Sequence, residues 1–364
     1  MPNLHEAQLR HATHYLNILR IANDAYMRGG EDAIHGLAKF DLERENIQAG
    51  QGWAEEAVAD CQQAIELCSA YPHVGRFLLY LRYYPLERIR WREAALSAAR
   101  RKGDTSFICK HLGSIGLDYA EMGDARRAIE YYEEDLKLSK EAGDSLGVCQ
   151  TLNNIGLAYM ALGKITLAIR SFQDCIAVSK ELGHNENEAI AIGNLGLAYT
   201  TMGEHQLALH AQEKFLQVAR SSGDRRLESN ALANLGDIYR QLGDTHLAVD
   251  YHSQALAISR SINLRRSEAQ DLGNLGKDYA VIDNDQKALD YFTQQLAVAR
   301  EFGDSRIQGD ALWNMSLILI KLKDVPKAII HAEAALNIFS RIEDPRAEEV
   351  REQLEYLRTN SATD

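Results

Sequence analysis

Five asparagines recur at a spacing of forty residues: Asn154, Asn194, Asn234, Asn274 and Asn314, with Ser114 at the equivalent place one copy earlier. A carboxamide offers both hydrogen-bond donors and an acceptor. A row of them can hold the backbone of an extended peptide without demanding a sequence. The same row could instead bond each repeat to its neighbour and set the superhelix; both uses are open to it. Three residues beyond the asparagines stand Leu117, Leu157 and Leu197, then Asp237 and Lys277, with Ile190, Gln241, Asp310 and Lys321 nearby. A groove apolar at one end and charged at the other would orient a peptide, although ordinary variation on a solvated face gives the same pattern.

This is the chemistry of binding. Groups for covalent chemistry do not assemble in the sequence. There is no G-x-x-x-x-G-K-[ST] phosphate loop, and Gly163-Lys164 lacks the upstream glycine. No serine or cysteine sits in a nucleophile elbow. His11 and His14 share a helix face, but no carboxylate or cysteine has metal-ligand spacing with them. The sequence therefore predicts no enzyme, no cofactor and no metal.

The elements that carry the asparagines follow from the same period. Glycines stand at Gly116, Gly156, Gly196, Gly236 and Gly276, with Ser316 sixth. Tyrosines follow at Tyr119, Tyr159, Tyr199, Tyr239 and Tyr279, with Leu319 sixth, and alanines at Ala128, Ala168, Ala208, Ala248, Ala288 and Ala328. Six copies at one period mark a stack of identical supersecondary units. In residues 145–184, Leu152, Ile155, Gly156 and Tyr159 share one side of a helix. Gly163 breaks the pattern, and Ala168, Phe172 and Ile176 line a second helix that Gly183 ends. Each unit thus reads as two antiparallel helices. Gly156 and Ala168 are small where the pair must approach closely. Rotating about 100° per residue puts Asn154 and Leu157 opposite the core side.

L-G-x-x-Y, a turn, then A-x-x-x-F/Y resembles the tetratricopeptide repeat family, as in Leu195-Gly196-Leu197-Ala198-Tyr199 with Ala208 and Leu235-Gly236-Asp237-Ile238-Tyr239 with Ala248. The forty-residue period is similar to the long repeat of kinesin light chains and of the LGN/Pins spindle adaptors. Asn153-Asn154 before Ile155-Gly156-Leu157-Ala158-Tyr159 is close to the kinesin light chain pattern N-N-L-A-x-L-Y. The resemblance implies an all-α, right-handed superhelical α-solenoid of helix-turn-helix repeats over residues 105–344. It implies an interaction scaffold or adaptor whose concave groove is lined by the first helix of each repeat. The Lys/Arg carboxylate clamp of co-chaperone repeats is not reproduced around Lys277.

Residues 65–104 look like a worn copy, with Arg76 at the glycine place and Arg88 at the alanine place, so this pair should pack more loosely or differently. Residues 1–64 read as a helical region through Leu16, Leu19, Ile21, Phe40, Leu42, Ile47 and Trp53. Within it, FDLERENIQAGQGWAEEA resembles the segment that begins the repeats of bacterial NB-ARC/STAND signalling proteins, which supports an alternative as a regulatory sensor module working with a separate effector. Residues 345–358, with Val350, Leu354 and Leu357, read as a capping helix, and 359–364 as a disordered tail.

Arg88, Arg90, Arg92, Arg100 and Arg101, interleaved with Tyr83, Tyr84 and Trp91, form a candidate basic patch for nucleic acid or an acidic protein. The alternative is a solvated face that pairs with acidic repeats. The formal charge of −12 argues against general nucleic-acid binding. Only five prolines in 364 residues suits helix throughout. No apolar run spans a bilayer, no secretory signal is visible, and the odd, unclustered cysteines read as reduced thiols. The expectation is a cytoplasmic protein with a protein or peptide partner and no membrane; self-association through exposed repeat ends stays open.

Overall fold

The structure, a computed structural model, describes residues 4–28, 30–342 and 344–361. Among these, every regular element is an α-helix. The chain divides into two units, Met1–Asn187 and Glu188–Asp364.

The first unit opens with two long helices, α1 (Leu4–Arg28) and α2 (Gly30–Ala57). Then come α3 (Gln62–Val74), α4 (Arg76–Arg82) and α5 (Pro85–Lys102). Leu19, Phe40, Ile47, Tyr71 and Leu78 are buried together among them, and the Tyr71 hydroxyl donates to the Ala12 carbonyl at 2.7 Å. Leu42 points outward, 80% exposed, and Ile21 is exposed as well. Two regular pairs follow: α6 (Thr105–Glu121) with α7 (Ala125–Glu141), and α8 (Ser145–Ala161) with α9 (Ile165–Leu182).

The second unit holds most of α10 (Asn185–Met202), then α11 (His205–Ser222), α12 (Arg225–Gln241) and α13 (Thr245–Ser261). It continues through α14 (Arg265–Val281), α15 (Asp285–Phe302), α16 (Ser305–Lys321), α17 (Val325–Arg341) and α18 (Arg346–Ser361). Val350, Leu354 and Leu357 of α18 are buried. Of the tail expected over 359–364, residues 362–364 lie outside the described residues.

The helices start and stop for a local reason. From position 103 to position 323, every twentieth residue has positive φ. Nine of these are glycines, for which the left-handed conformation is free of Cβ strain. The next residue is commonly aspartate, which caps the following helix: Asp124 accepts from the Arg127 amide at 3.1 Å and Asp144 from the Gly147 amide at 2.9 Å. One dipeptide thus closes one helix and opens the next. Asn263, Asp283 and Lys323 take the same conformation without being glycine. Lys323 is the costliest of the three, because asparagine and aspartate tolerate it better. Lys323→Gly is expected to raise stability by about 0.5–1 kcal/mol, the relieved strain less the larger entropy of glycine; an unchanged urea midpoint would refute this.

Within a repeat, the registered glycine meets a ring. A Cβ on Gly116, Gly156 or Gly276 would lie 2.4, 2.4 or 2.5 Å from Tyr132, Phe172 or Phe292. The close approach expected at Gly156 is therefore to the aromatic four residues beyond Ala168. In three copies the registered tyrosine stacks on a second one, as in Tyr119 on Tyr131, Tyr239 on Tyr251 and Tyr279 on Tyr291. In the sixth copy the ring position is Ala332, and the buried Ser316 hydroxyl donates to the Ala328 carbonyl at 2.9 Å.

The worn copy packs differently, as its arginines foreshadow. Its first helix is broken at Gly75, between α3 and α4, where a Cβ would come within 2.8 Å of Leu19. At the alanine and ring places stand Arg88 and Arg92, 3% and 7% exposed. Both grip Asp118 of α6: Arg88 Nε donates to Asp118 Oδ1 at 2.8 Å, and Arg92 bonds to Asp118 Oδ2. Arg88 also donates to the Tyr83 carbonyl at 3.0 Å and bonds to Glu121.

Candidate functional site

In the second unit, the first helices of four successive repeats, α10, α12, α14 and α16, line one cavity of about 710 Å³. Four of the five asparagines, Asn194, Asn234, Asn274 and Asn314, are on its wall, together with Leu197, Asp237 and Lys277. Ile190 and Asp310 line it too. The 3.6-residue period produces this: positions 226, 230, 234 and 237 of α12 fall on one face, and the forty-residue period repeats that face on α14 and α16. Gln241 is exposed but does not line the cavity. Asn154 and Leu157 belong to α8 of the first unit, where Asn154 is half-buried and Leu157 exposed. Lys321 is held by Asp283 and Asp285 at 2.6 and 2.8 Å.

The asparagines are not equivalent. The Asn234 amide donates to Gln212 Oε1 at 3.2 Å, and Gln212 Nε2 donates in turn to the Gly193 carbonyl at 2.8 Å. That is a bond between repeats. The side-chain amides of Asn274 and Asn314 make no hydrogen bond among the described residues, so their donors and acceptors face the cavity.

Beneath the wall lies a buried ionic group. His252 occupies the ring place of its repeat and is 0% exposed, as is Asp278. His252 Nδ1 is 2.5 Å from Asp278 Oδ2, and its Nε2 lies 3.2 Å from the Ala233 carbonyl and 3.6 Å from Asp237 Oδ1. Arg240 donates to Asp278 at 2.9 Å and bonds to Asp237. Burial alone would lower the imidazole pKa, but the hydrogen bonds to Asp237 and Asp278 outweigh it and raise it to about 9. The cavity carboxylate of Asp237 is thereby held ionised from below: burial pushes its pKa up, and His252 and Arg240 pull it lower than usual. Asp271, also on the wall, is buried and accepts from the Ser259 hydroxyl at 2.7 Å; burial pushes its carboxyl up to about 7.

The basic patch is corrected at Arg88 and Arg92. Both lie inside the fold on Asp118, because two cations replaced the apolar pair of the regular repeat and an aspartate faces them. Arg90 and Arg100 are outside, within 4.0 Å of Glu55 and 2.5 Å of Glu134, and Arg101 is exposed. Among the described residues, no group of three or more histidine, cysteine, aspartate or glutamate side chains could hold a metal ion, and no helix is long and apolar enough to cross a membrane. All five cysteines are free thiols.

Arg226, Arg266 and Arg306 also line the cavity and were not among the residues expected from the sequence. Their own forty-residue spacing is the signal that identifies them.

The model of the tetratricopeptide repeat family matches residues 147–221 and 188–261. Among curated proteins, none matches the sequence. The fold is similar to the Rap conjugation gene regulator of plasmid pLS20, solved with the Phr* peptide: 14% identity, 92% of this chain and 97% of that one, TM-score 0.59. It is similar to a STAND protein with a tetratricopeptide repeat sensor from Pyrococcus horikoshii, at 17% identity, 95% of this chain, 60% of that one and TM-score 0.59. It is also similar to aspartyl phosphate phosphatase F from Bacillus subtilis, at 13% identity, 94% of each chain and TM-score 0.55.

Proposed function

We propose that this chain of tetratricopeptide repeats is a non-catalytic interaction module that captures an extended peptide segment of a protein partner in the cavity of its second unit. One observation carries the reading: four asparagines at one period converge on a single cavity, and at Asn274 and Asn314 the amides are unspent. An extended peptide presents an N–H and a C=O at every residue. A carboxamide can meet both, and a preformed wall lowers the ordering cost of binding. Leu197 at one end and Asp237 and Lys277 further along give the peptide a direction. Gln241, on the same helix as Asn234 but not on the cavity wall, would contribute only to a longer contact. The similar fold solved with a bound peptide agrees with this reading.

Asn274→Ala with Asn314→Ala tests it, since neither amide holds the fold. Peptides selected on the wild type from a displayed library are expected to bind this variant about tenfold or more weakly, at about 1 kcal/mol per lost hydrogen bond. Equal affinity with an unchanged circular dichroism melt would refute the reading.

A second reading, a regulatory sensor module serving a separate effector, is supported by the resemblance of residues 40–57 to the segment that begins NB-ARC/STAND repeats. It predicts that an effector co-purifies with the chain from source cells. Recovery of the chain without one would count against it.

A further inference from the structure

Residues 40–57 take no part in the peptide reading, yet one face of them lines another cavity, of about 280 Å³, within the first unit. Gln48, Gln51, Gly52 and Glu55 of α2 recur at helical spacing along its wall. Tyr83, at the end of α4, and Glu87, Arg90 and Trp91 of α5 complete it. Gln51 is 1% exposed, and its Oε1 has no hydrogen-bond partner among the described residues; its Nε2 donates weakly to Cys68 Sγ at 3.8 Å. The Tyr83 hydroxyl is buried too and, with Arg44 and Gln48 beside it, is in hydrogen-bond geometry with neither. A buried polar atom left unpaired is costly, and native folds rarely leave one. Two on the wall of one cavity call for a partner that enters it.

Gly52 adds an independent observation. Glycine inside a helix is disfavoured relative to alanine. Gly50 has a packing reason, because a Cβ there would strike the Tyr71 hydroxyl. A Cβ on Gly52 would meet nothing within 4 Å. Packing thus does not require this second glycine, and its bare backbone keeps the cavity open. The charges on the wall are mixed: Glu55 lies 4.0 Å from Arg90, and Glu87 caps its own helix by accepting from the Tyr84 amide at 3.1 Å. Such a wall selects no ion of either sign, but carboxylates, a guanidinium and carboxamides all hydrogen-bond to hydroxyls. A hydroxyl can serve the Gln51 amide and can donate to or accept from the Tyr83 hydroxyl. Trp91, tilted against Tyr83 with ring centroids 5.4 Å apart, supplies apolar wall. The volume is at the small end of ligand pockets, about 300–1,000 Å³, which suits a single ring.

We propose that this cavity binds a small neutral polyhydroxylated molecule of monosaccharide size. Gln51 and Tyr83 are its buried hydrogen-bond partners, and the less buried Glu55, Glu87 and Arg90 its outer ones. All of these residues belong to the first unit, so the site stands or falls independently of the peptide reading.

The test applies ligand-observed saturation-transfer NMR to the full chain with D-glucose, D-galactose, D-mannose, D-ribose and myo-inositol, each alone. Glutamate, putrescine and inorganic phosphate serve as charged probes. At least one neutral probe is expected to bind saturably, and about tenfold or more tightly than any charged one. Gly52→Leu, which fills the cavity, and Gln51→Leu, which removes the unpaired carbonyl, should each weaken that binding about tenfold or more. Without ligand, Gln51→Leu should melt no lower than the wild type, because it deletes an unpaired buried group. Gly52→Ala should melt higher. A lower melt for either would show that the residue serves the fold and would overturn the proposal. Failure of every neutral probe would overturn it, with ordered water then serving the two buried groups. Tighter binding of a charged probe, or binding that either leucine variant leaves unchanged, would overturn it as well. None of these outcomes bears on the peptide test with Asn274→Ala and Asn314→Ala.

Discussion

His252→Ala is expected to lower the stability of the helices around it by about 3–5 kcal/mol, the cost of removing one partner from a buried ion pair. Asp278 loses its closest neighbour and keeps only Arg240 while fully enclosed. Urea unfolding at neutral pH, with hydrogen exchange over α12 to α15, reads the loss and its location; a change within about 0.5 kcal/mol, the range of ordinary surface substitutions, would show that the pair is not holding the fold. Direction with pH is a second readout. The histidine pKa is raised in the folded state to about 9, above its ordinary value near 6.5. Its contribution is therefore complete below about pH 6.5 and lost as pH rises through 9. The wild type should lose stability over that window more steeply than the variant. His252→Phe with Asp278→Ala restores the residues that stand in register at Phe172 and Ala198. That exchange of an ion pair for apolar packing is expected to recover most of the loss.

Asp118→Ala is expected to cost a similar amount, about 3–5 kcal/mol, in the first unit. It leaves Arg92 with the Ser114 carbonyl alone, and Arg88 with Glu121 and two carbonyls of the preceding turn. Burial already pulls the Arg92 pKa down, and Asp118 is the principal charge opposing that. The combination Arg88→Ala, Arg92→Tyr, Asp118→Ala recreates Ala128, Tyr132 and Ala158 of the regular repeats. It is expected to be far less destabilised than Asp118→Ala alone, measured in the same urea series. If the triple is as unstable as the single, the arginines hold the worn copy by their packing and not by charge.

The repeats were legible because one residue in twenty must take a left-handed turn and one in forty must clear a ring, and both demands print themselves on the sequence. Asn194, Asn234, Asn274, Asn314, Leu197, Asp237 and Lys277 could be placed on one wall for the same reason: helix period and repeat period together fix a face. What stayed hidden depends on pairs. His252 and Asp278 are 26 residues apart, as are Arg92 and Asp118. Each looks ordinary by itself, and only packing of one repeat's second helix on the next repeat's first helix shows a cation facing an anion. Arg88 read as surface for that reason. The arginine row was visible by spacing, but its position at the starts of helices put it outside the central stripe from which a groove is usually read.

The turns have a consequence for how such a chain can grow or shrink. Because a single left-handed residue and its following aspartate both finish one helix and begin another, a forty-residue cassette brings its own start and stop signals. Cutting out residues 225–264, for instance, joins Asp224 to Arg265, and each of those already sits at the junction its new neighbour requires. Deletion or duplication in whole cassettes therefore changes the number of wall helices, and with it the reach of the cavity, without creating a new kind of junction, whereas a change of twenty residues would keep the turns in phase but put two helices of the same kind in succession.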